Sequence, residues 1–154
     1  MRKLPRWNHA WIKSKPIDGL PAAAYMDRFQ KILAEEFYQK IPDYMIPSFY
    51  DYFFLGKRPG DFLQSLLGND LLASVSTADD GNLNSLREWM LFLYNHTHSH
   101  CYGSRQNIND WCYQRLDTAK YDQAVEEYEQ LVQDHILDDL KRDINAIQKE
   151  DTND

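Results

Sequence analysis

The chain has 154 residues, the length of one domain, and 43% of them are hydrophobic, which is enough to build a core and excludes wholesale disorder. No run approaches the roughly 18 apolar residues that a membrane crossing needs, and the basic start runs into Lys13, Lys15 and Asp18, so neither a transmembrane helix nor a secretory signal is expected. The net charge of −7 is unevenly spread: residues 1–40 carry eight Lys/Arg against four Asp/Glu, whereas residues 117–154 carry four against twelve.

Along the chain, residues 1–17 read as a basic aromatic arm holding Trp7 and Trp11. Asp18 is placed to cap a helix starting near Pro21, and Ala23, Ala24, Phe29, Ile32, Leu33, Phe37 and Ile41 then recur at helical spacing up to Pro42. After a linker with Pro42 and Pro47, the run from Phe49 to Leu55 predicts an aromatic helix that Gly56 ends through a left-handed cap. Asp61 or Gly60 opens the next helix, with Phe62, Leu63, Leu66 and Leu67, and Gly68-Asn69-Asp70 breaks it and starts another through Leu71, Leu72, Ala73, Val75 and Ala78. Asp79 to Asn82 is a further break. Leu83, Leu86, Trp89, Met90, Leu93 and Tyr94 keep one face of the following helix apolar.

Residues 95–104 read as a loop, and Ser104 is a good cap for a helix carrying Ile108, Trp111 and Cys112. From Thr118 to Lys149, Tyr121, Val125, Tyr128, Leu131, Val132, His135, Ile136, Leu140, Ile144 and Ile147 step by three and four, predicting one long helix with an acidic outer face and a frayed end at 151–154. The expectation is an all-α protein, an irregular bundle of six or seven helices, with one helical domain over 18–150. A small β element in the arm stays open.

Few patterns suggest chemistry. His96, His98 and His100 alternate and are followed by Cys101, with Cys112 a helical stretch away, and these are residue types that zinc prefers. Alternate residues of an extended loop point in opposite directions, and the usual second ligand pair is missing, so solvated or packing histidines are the expected reading. The two cysteines, Cys101 and Cys112, are too few for a disulfide framework, and reduced thiols in a cytosol are expected. No glycine-rich phosphate loop occurs and no nucleophile is set beside a base by a recognised spacing. Neither enzymatic activity nor a cofactor is expected. The arm joins positive charge to stacking surface, as a nucleic-acid contact would, in a chain whose pI of about 5.1 opposes it. The acidic residues of the last helix suit the opposite role, presenting negative charge to a basic groove.

The order Gly56-Lys-Arg-Pro-Gly60-Asp-Phe-Leu, Asn69-Asp70-Leu71, Ala78-Asp79 with Asn82, Phe92-Leu93-Tyr94-Asn95, Gly103-Ser104 and Trp111 resembles a small family of helical proteins encoded largely by bacteriophages and prophages. The likeness covers about residues 46–111, and the sequence departs from the pattern at His98 or Ser99, where a proline is expected. The resemblance implies a phage-related origin and action in a bacterial cytoplasm, and it implies no reaction.

The reading that follows is an accessory protein that binds a host or phage protein to modulate or inhibit a host factor. Its expected partner-binding residues are Trp7, Trp11, Tyr121, Glu126, Glu127, Tyr128, Asp134, Asp138 and Asp139, because aromatic and charged groups anchor and steer interfaces. Self-association between basic head and acidic tail is also open. The alternatives are a nucleic-acid-binding accessory protein using the arm and a metal-dependent enzyme in the His96–Cys112 region.

Overall fold

The computed structural model describes residues 2, 4–5, 8–116 and 118–152, with side chains described over 130–147 of the last stretch. Among these residues the secondary structure is all-α, as expected: nine α-helices, three short 3-10 turns and no strand. The helices are α1 (His9–Ile12), α2 (Ala22–Leu33), α3 (Ile46–Leu55), α4 (Asp61–Leu67), α5 (Leu71–Thr77), α6 (Asp80–Leu83), α7 (Leu86–His96), α8 (Arg105–Arg115) and α9 (Thr118–Thr152). The chain divides into two compact units, 1–117 and 118–154, whereas the sequence suggested one helical domain over 18–150.

In the first unit, local signals and tertiary demands part company at three places. The helix expected between Pro21 and Pro42 stops at Leu33 and is replaced by a 3-10 turn over Glu36–Lys40. The carbonyls released there have a common partner: Arg2 donates to Leu33 O at 2.9 Å, to Tyr38 O at 2.8 Å and to Ile41 O, and its Nε reaches Asp43 at 2.6 Å. A guanidinium with five fixed donors suits several carbonyls at once. Asp18 does not cap α2. It and Gly19 both take positive φ, 49° and 78°, closing a tight turn in which Ile17 and Leu20 exchange backbone hydrogen bonds of 2.9 Å. That is the Asp-Gly chemistry of a two-residue hairpin turn, and it forms the small β element left open in the arm. The break at 79–82 contains α6, because the Asp79 carboxylate accepts from Asn82 N at 2.8 Å and nucleates a turn.

The core is built around α3. A helix that is apolar over most of its circumference belongs inside, and Ile46, Phe49, Tyr50, Tyr52, Phe53, Phe54 and Leu55 are all buried, with Ser48 left at the surface. Phe29 of α2 packs against Phe53 with ring centroids 4.9 Å apart and against Phe92 of α7 at 5.3 Å, joining three helices at one ring. The C-terminal end of α3 shows how α8 is placed. Gly56 at φ 70° turns the chain so that Gly56 N meets Tyr52 O at 3.0 Å and Lys57 N meets Asp51 O at 3.2 Å, as expected from the sequence. The next two carbonyls are satisfied from α8: Trp111 Nε1 donates to Phe53 O at 3.1 Å and Arg115 Nε to Phe54 O at 2.9 Å. Trp111 and Arg115 are four residues apart and so share one face of α8. A cation at a helix C-terminus is also favoured by the helix dipole.

Short caps fix the remaining helices where the sequence placed them. Asp70 accepts from Ala73 N at 3.0 Å and Ser104 from Asn107 N at 3.0 Å. Some expected core residues are outside: Leu71 and Leu72 are 74% and 84% exposed, and Leu83, Met90 and Tyr94 are also exposed. Helix α5 has too few turns, and too few contacts with larger helices, to bury both of its leucines and Val75.

Candidate functional site

The second unit is α9 alone, a helix of 35 residues. Its described large apolar side chains are 39–59% exposed: Leu131 and Leu137 stand to either side of a main row formed by Val132, Ile136, Leu140, Ile144 and Ile147. They step by three or four along one stripe, and Asp139 and Asp143 are spaced onto the same face. Of the expected contact residues, Asp134, Asp138 and Asp139 are exposed. Asp134 accepts from Gln130 Nε2 at 3.0 Å, and Asp139 is 3.8 Å from His135 Nε2. Tyr121, Glu126, Glu127 and Tyr128 lie on α9 with side chains outside the described set, and Trp7 lies outside the described residues altogether.

Trp11 is a correction. It is 5% exposed, stacks edge-on against Tyr50 at 5.2 Å and donates Nε1 to Asp51 at 2.9 Å, so it belongs to the core and offers no contact surface. A tryptophan beside lysines reads as a surface anchor, but the aromatic flank of α3 supplies both a ring and an acceptor for its indole. Arg2 is likewise committed to backbone carbonyls of the body. The described part of the arm therefore turns two of its nucleic-acid-like groups inward.

The histidine–cysteine stretch separates into unlike environments. His96 ends α7 with its ring against Tyr38 at 5.5 Å, and burial holds its pKa below the usual histidine range. Cys101 is wholly buried with Sγ 3.5 Å from the Thr97 hydroxyl, and burial pushes its thiol up to about 12. Cys112 is buried on α8, and burial raises its thiol as well. The described residues contain no group of three His, Cys, Asp or Glu side chains arranged to hold a metal.

His98 and His100 instead meet residues the sequence did not single out. They line a cleft of about 240 Å³ with Lys15, Ile17, Trp111 and Arg115. The Asp18 carboxylate reaches His98 Nε2 from the far side of the 17–20 turn, and His98 Nδ1 accepts from His100 N at 3.1 Å. With Nδ1 accepting, the ring proton sits on Nε2 and faces the carboxylate. The His98 ring lies 5.4 Å from Trp111 and 5.0 Å from His100. Lys15 donates to Gln114 O at 3.3 Å. Arg115, 6% exposed, uses Nε on Phe54 O and Nη1 on Pro16 O at 3.4 Å, and Nη2 has no partner. Burial pulls its pKa down to about 10, which leaves it charged at neutral pH.

No protein-family model matches the chain, and no significant match was found among curated proteins or solved structures. Among the described residues no helix is long and apolar enough to cross a membrane.

Proposed function

We propose that this is a binding protein whose C-terminal helix engages another protein, in the setting of a phage-encoded accessory factor that modulates or inhibits a host factor. The observation that carries the reading is the half-exposed stripe Val132, Ile136, Leu140, Ile144 and Ile147 on α9, with carboxylates at Asp139 and Asp143 within it. Apolar side chains in water gain about 25 cal/mol for each Å² that a partner covers, and a row at helical spacing is how a helix fits a groove. The carboxylates Asp134, Asp138, Asp139 and Asp143 select a partner surface that brings lysines or arginines to the rim of an apolar groove. The phage setting draws support from the residue pattern over 46–111 alone.

The experiment compares the full-length protein with Ile136→Asp/Leu140→Asp as baits in a bacterial lysate at moderate salt. Both changes fall on exposed positions, and circular dichroism checks that α9 persists. A partner held by the parent chain, lost by the double variant and released as salt rises supports the reading. Recovery of no partner, or equal recovery by both baits, overturns it.

A further inference from the structure

We propose that the apolar row of α9 pairs with the same row of a second copy of this chain, the two helices crossing obliquely near Leu140 and running in the same direction. The proposal rests on the reading of α9 as a docking face, and it names the occupant that this face finds when no host factor is present.

The first argument is the spacing of the row. Val132, Ile136, Leu140 and Ile144 follow one another at intervals of four, and Ile147 adds a single step of three. A long left-handed coiled coil needs steps of three and four in alternation, so that its seam returns every 3.5 residues or so. Repeated steps of four instead make one ridge, which runs obliquely across the helix surface. Two such ridges interlock when their helices cross at about −50°, the commonest crossing in globular proteins. Leu140 stands at the middle of the row, and the contact covers the turns on either side of it. These side chains are 39–59% exposed, so each has apolar surface to withdraw from water.

The second argument is where the charge of α9 lies. Residues 118–135 hold Lys120 against Asp122, Glu126, Glu127, Glu129 and Asp134, a net of −4. Residues 136–147 hold Lys141 and Arg142 against Asp138, Asp139 and Asp143, a net of only −1. Most of the apolar row therefore lies where the helix is nearly neutral. A coiled coil would keep the two strongly acidic stretches about 10 Å apart over their whole length. Axes that cross near Leu140 at about 50° have instead diverged by roughly 20 Å at residue 122, well beyond the Debye length of about 8 Å at physiological salt. An oblique crossing covers the row and leaves the acidic halves apart.

The third argument is the sign of the two flanks. At about 100° per residue, Asp139 and Asp143 fall on one side of Leu140 and Lys141 on the other. In a two-fold pair of helices running in the same direction, each flank meets the opposite flank of its partner, as e and g positions do in a parallel coiled coil. Lys141 then meets Asp139 and Asp143 of the partner subunit, and the symmetry repeats the pairing on the other side. Helices running in opposite directions would set like flank against like, carboxylates against carboxylates. Among the described residues Lys141 and Asp143 take part in no ion pair, and Asp139 has His135 at 3.8 Å.

A crossing buries less than the roughly 800 Å² per partner of a standard interface, so the pair is expected to form in the micromolar range and to depend on concentration. The test is sedimentation velocity of the full chain over a concentration series through that range at physiological salt. The average mass is expected to rise from one copy, 18.3 kDa, toward two, and Ile136→Asp/Leu140→Asp is expected to stay monomeric. Lys141→Glu, and separately Asp139→Lys/Asp143→Lys, are each expected to weaken self-pairing roughly tenfold, and an equimolar mixture of the two to pair as tightly as the parent. Net charge alone would move those two variants in opposite directions. All these positions are exposed, and circular dichroism checks that α9 persists in each. A parent chain that stays monomeric throughout, a dimer that survives Ile136→Asp/Leu140→Asp, or charge variants that pair as the parent does, overturns the proposal. Lysate capture separates it from the reading beneath it, because Lys141→Glu keeps the apolar row and every carboxylate and is expected to hold a basic host partner while losing its own copy. Capture by a chain that never pairs overturns the dimer alone, and a dimer that captures nothing overturns the host reading alone.

Discussion

Gly56 carries two demands at one position. Its φ of 70° is a left-handed state, which costs about 1–2 kcal/mol for a residue with a Cβ, and a Cβ added there would lie 2.7 Å from Cys112 O and 2.8 Å from Arg115 Cβ. Gly56→Ala therefore adds overpacking, about 1–3 kcal/mol, to backbone strain, and the expected loss of both together appears as a lowered urea midpoint. A midpoint within error of the parent would show that α8 is free to move off α3. At Cys101 and Cys112 the prediction concerns reactivity. Only the thiolate reacts, and burial holds both thiols protonated, so neither is expected to label with a disulfide reagent at pH 8 until the protein is unfolded, when both label. Rapid labelling of the native chain would contradict the burial seen here.

At the scale of elements, the joint between α3 and α8 is the one to probe. Trp111→Phe keeps a ring in the core but leaves Phe53 O without its donor, and a buried carbonyl left unpaired costs about 1–3 kcal/mol. A change much smaller than that, measured by chemical denaturation, would mean that water replaces the indole. Helix α9 gives the complementary prediction. The buried core cluster runs from Trp11 to Cys112 and contains no residue of α9 among those described, and the 118–154 stretch is a compact unit by itself. A chain ending at residue 117 is therefore expected to keep a cooperative thermal transition close to that of the full protein. Loss of the transition would show that α9 contributes to the stability of the first unit.

For the whole molecule, alkaline pH is the sensitive direction. Burial raises the phenols of Tyr50 and Tyr52 and pushes Cys101 up to about 12, against ordinary values of 10.0 for Tyr and 9.0 for Cys. Below pH 9 these groups are protonated in both the folded and unfolded chains, and their contribution is fully present. Above its own ordinary value, near 9 for Cys101 and near 10 for the two tyrosines, each group sheds its proton in the unfolded chain and keeps it in the folded one, so stability then falls at roughly 1.4 kcal/mol per pH unit for each such group. The thermal midpoint is expected to be flat near neutrality and to drop steeply between pH 9 and 11. A flat profile through that range would show that these side chains are hydrated in the native state.

Much of this architecture is written locally. The caps at Asp70 and Ser104, the stop at Gly56 and the aromatic-rich α3 are properties of a few adjacent residues, and they appear where the residue pattern puts them. The end of α2 was not legible, because what terminates it is Arg2, some thirty residues earlier, collecting three carbonyls. Trp11 deceived for the same reason: its ring and indole partner come from Tyr50 and Asp51, and nothing near it in the chain announces them. The cleft was missed as a whole, since Lys15, His98 and Arg115 are separated by most of the first unit and none belongs to a recognised motif. The sequence by itself determined the helical class, most helix starts and the acidic stripe of the last helix, because capping, glycine turns and apolar spacing act over a few residues. Only the tertiary structure decided which aromatics are buried and where an unpaired guanidinium comes to rest, because those depend on partners that folding brings from far along the chain.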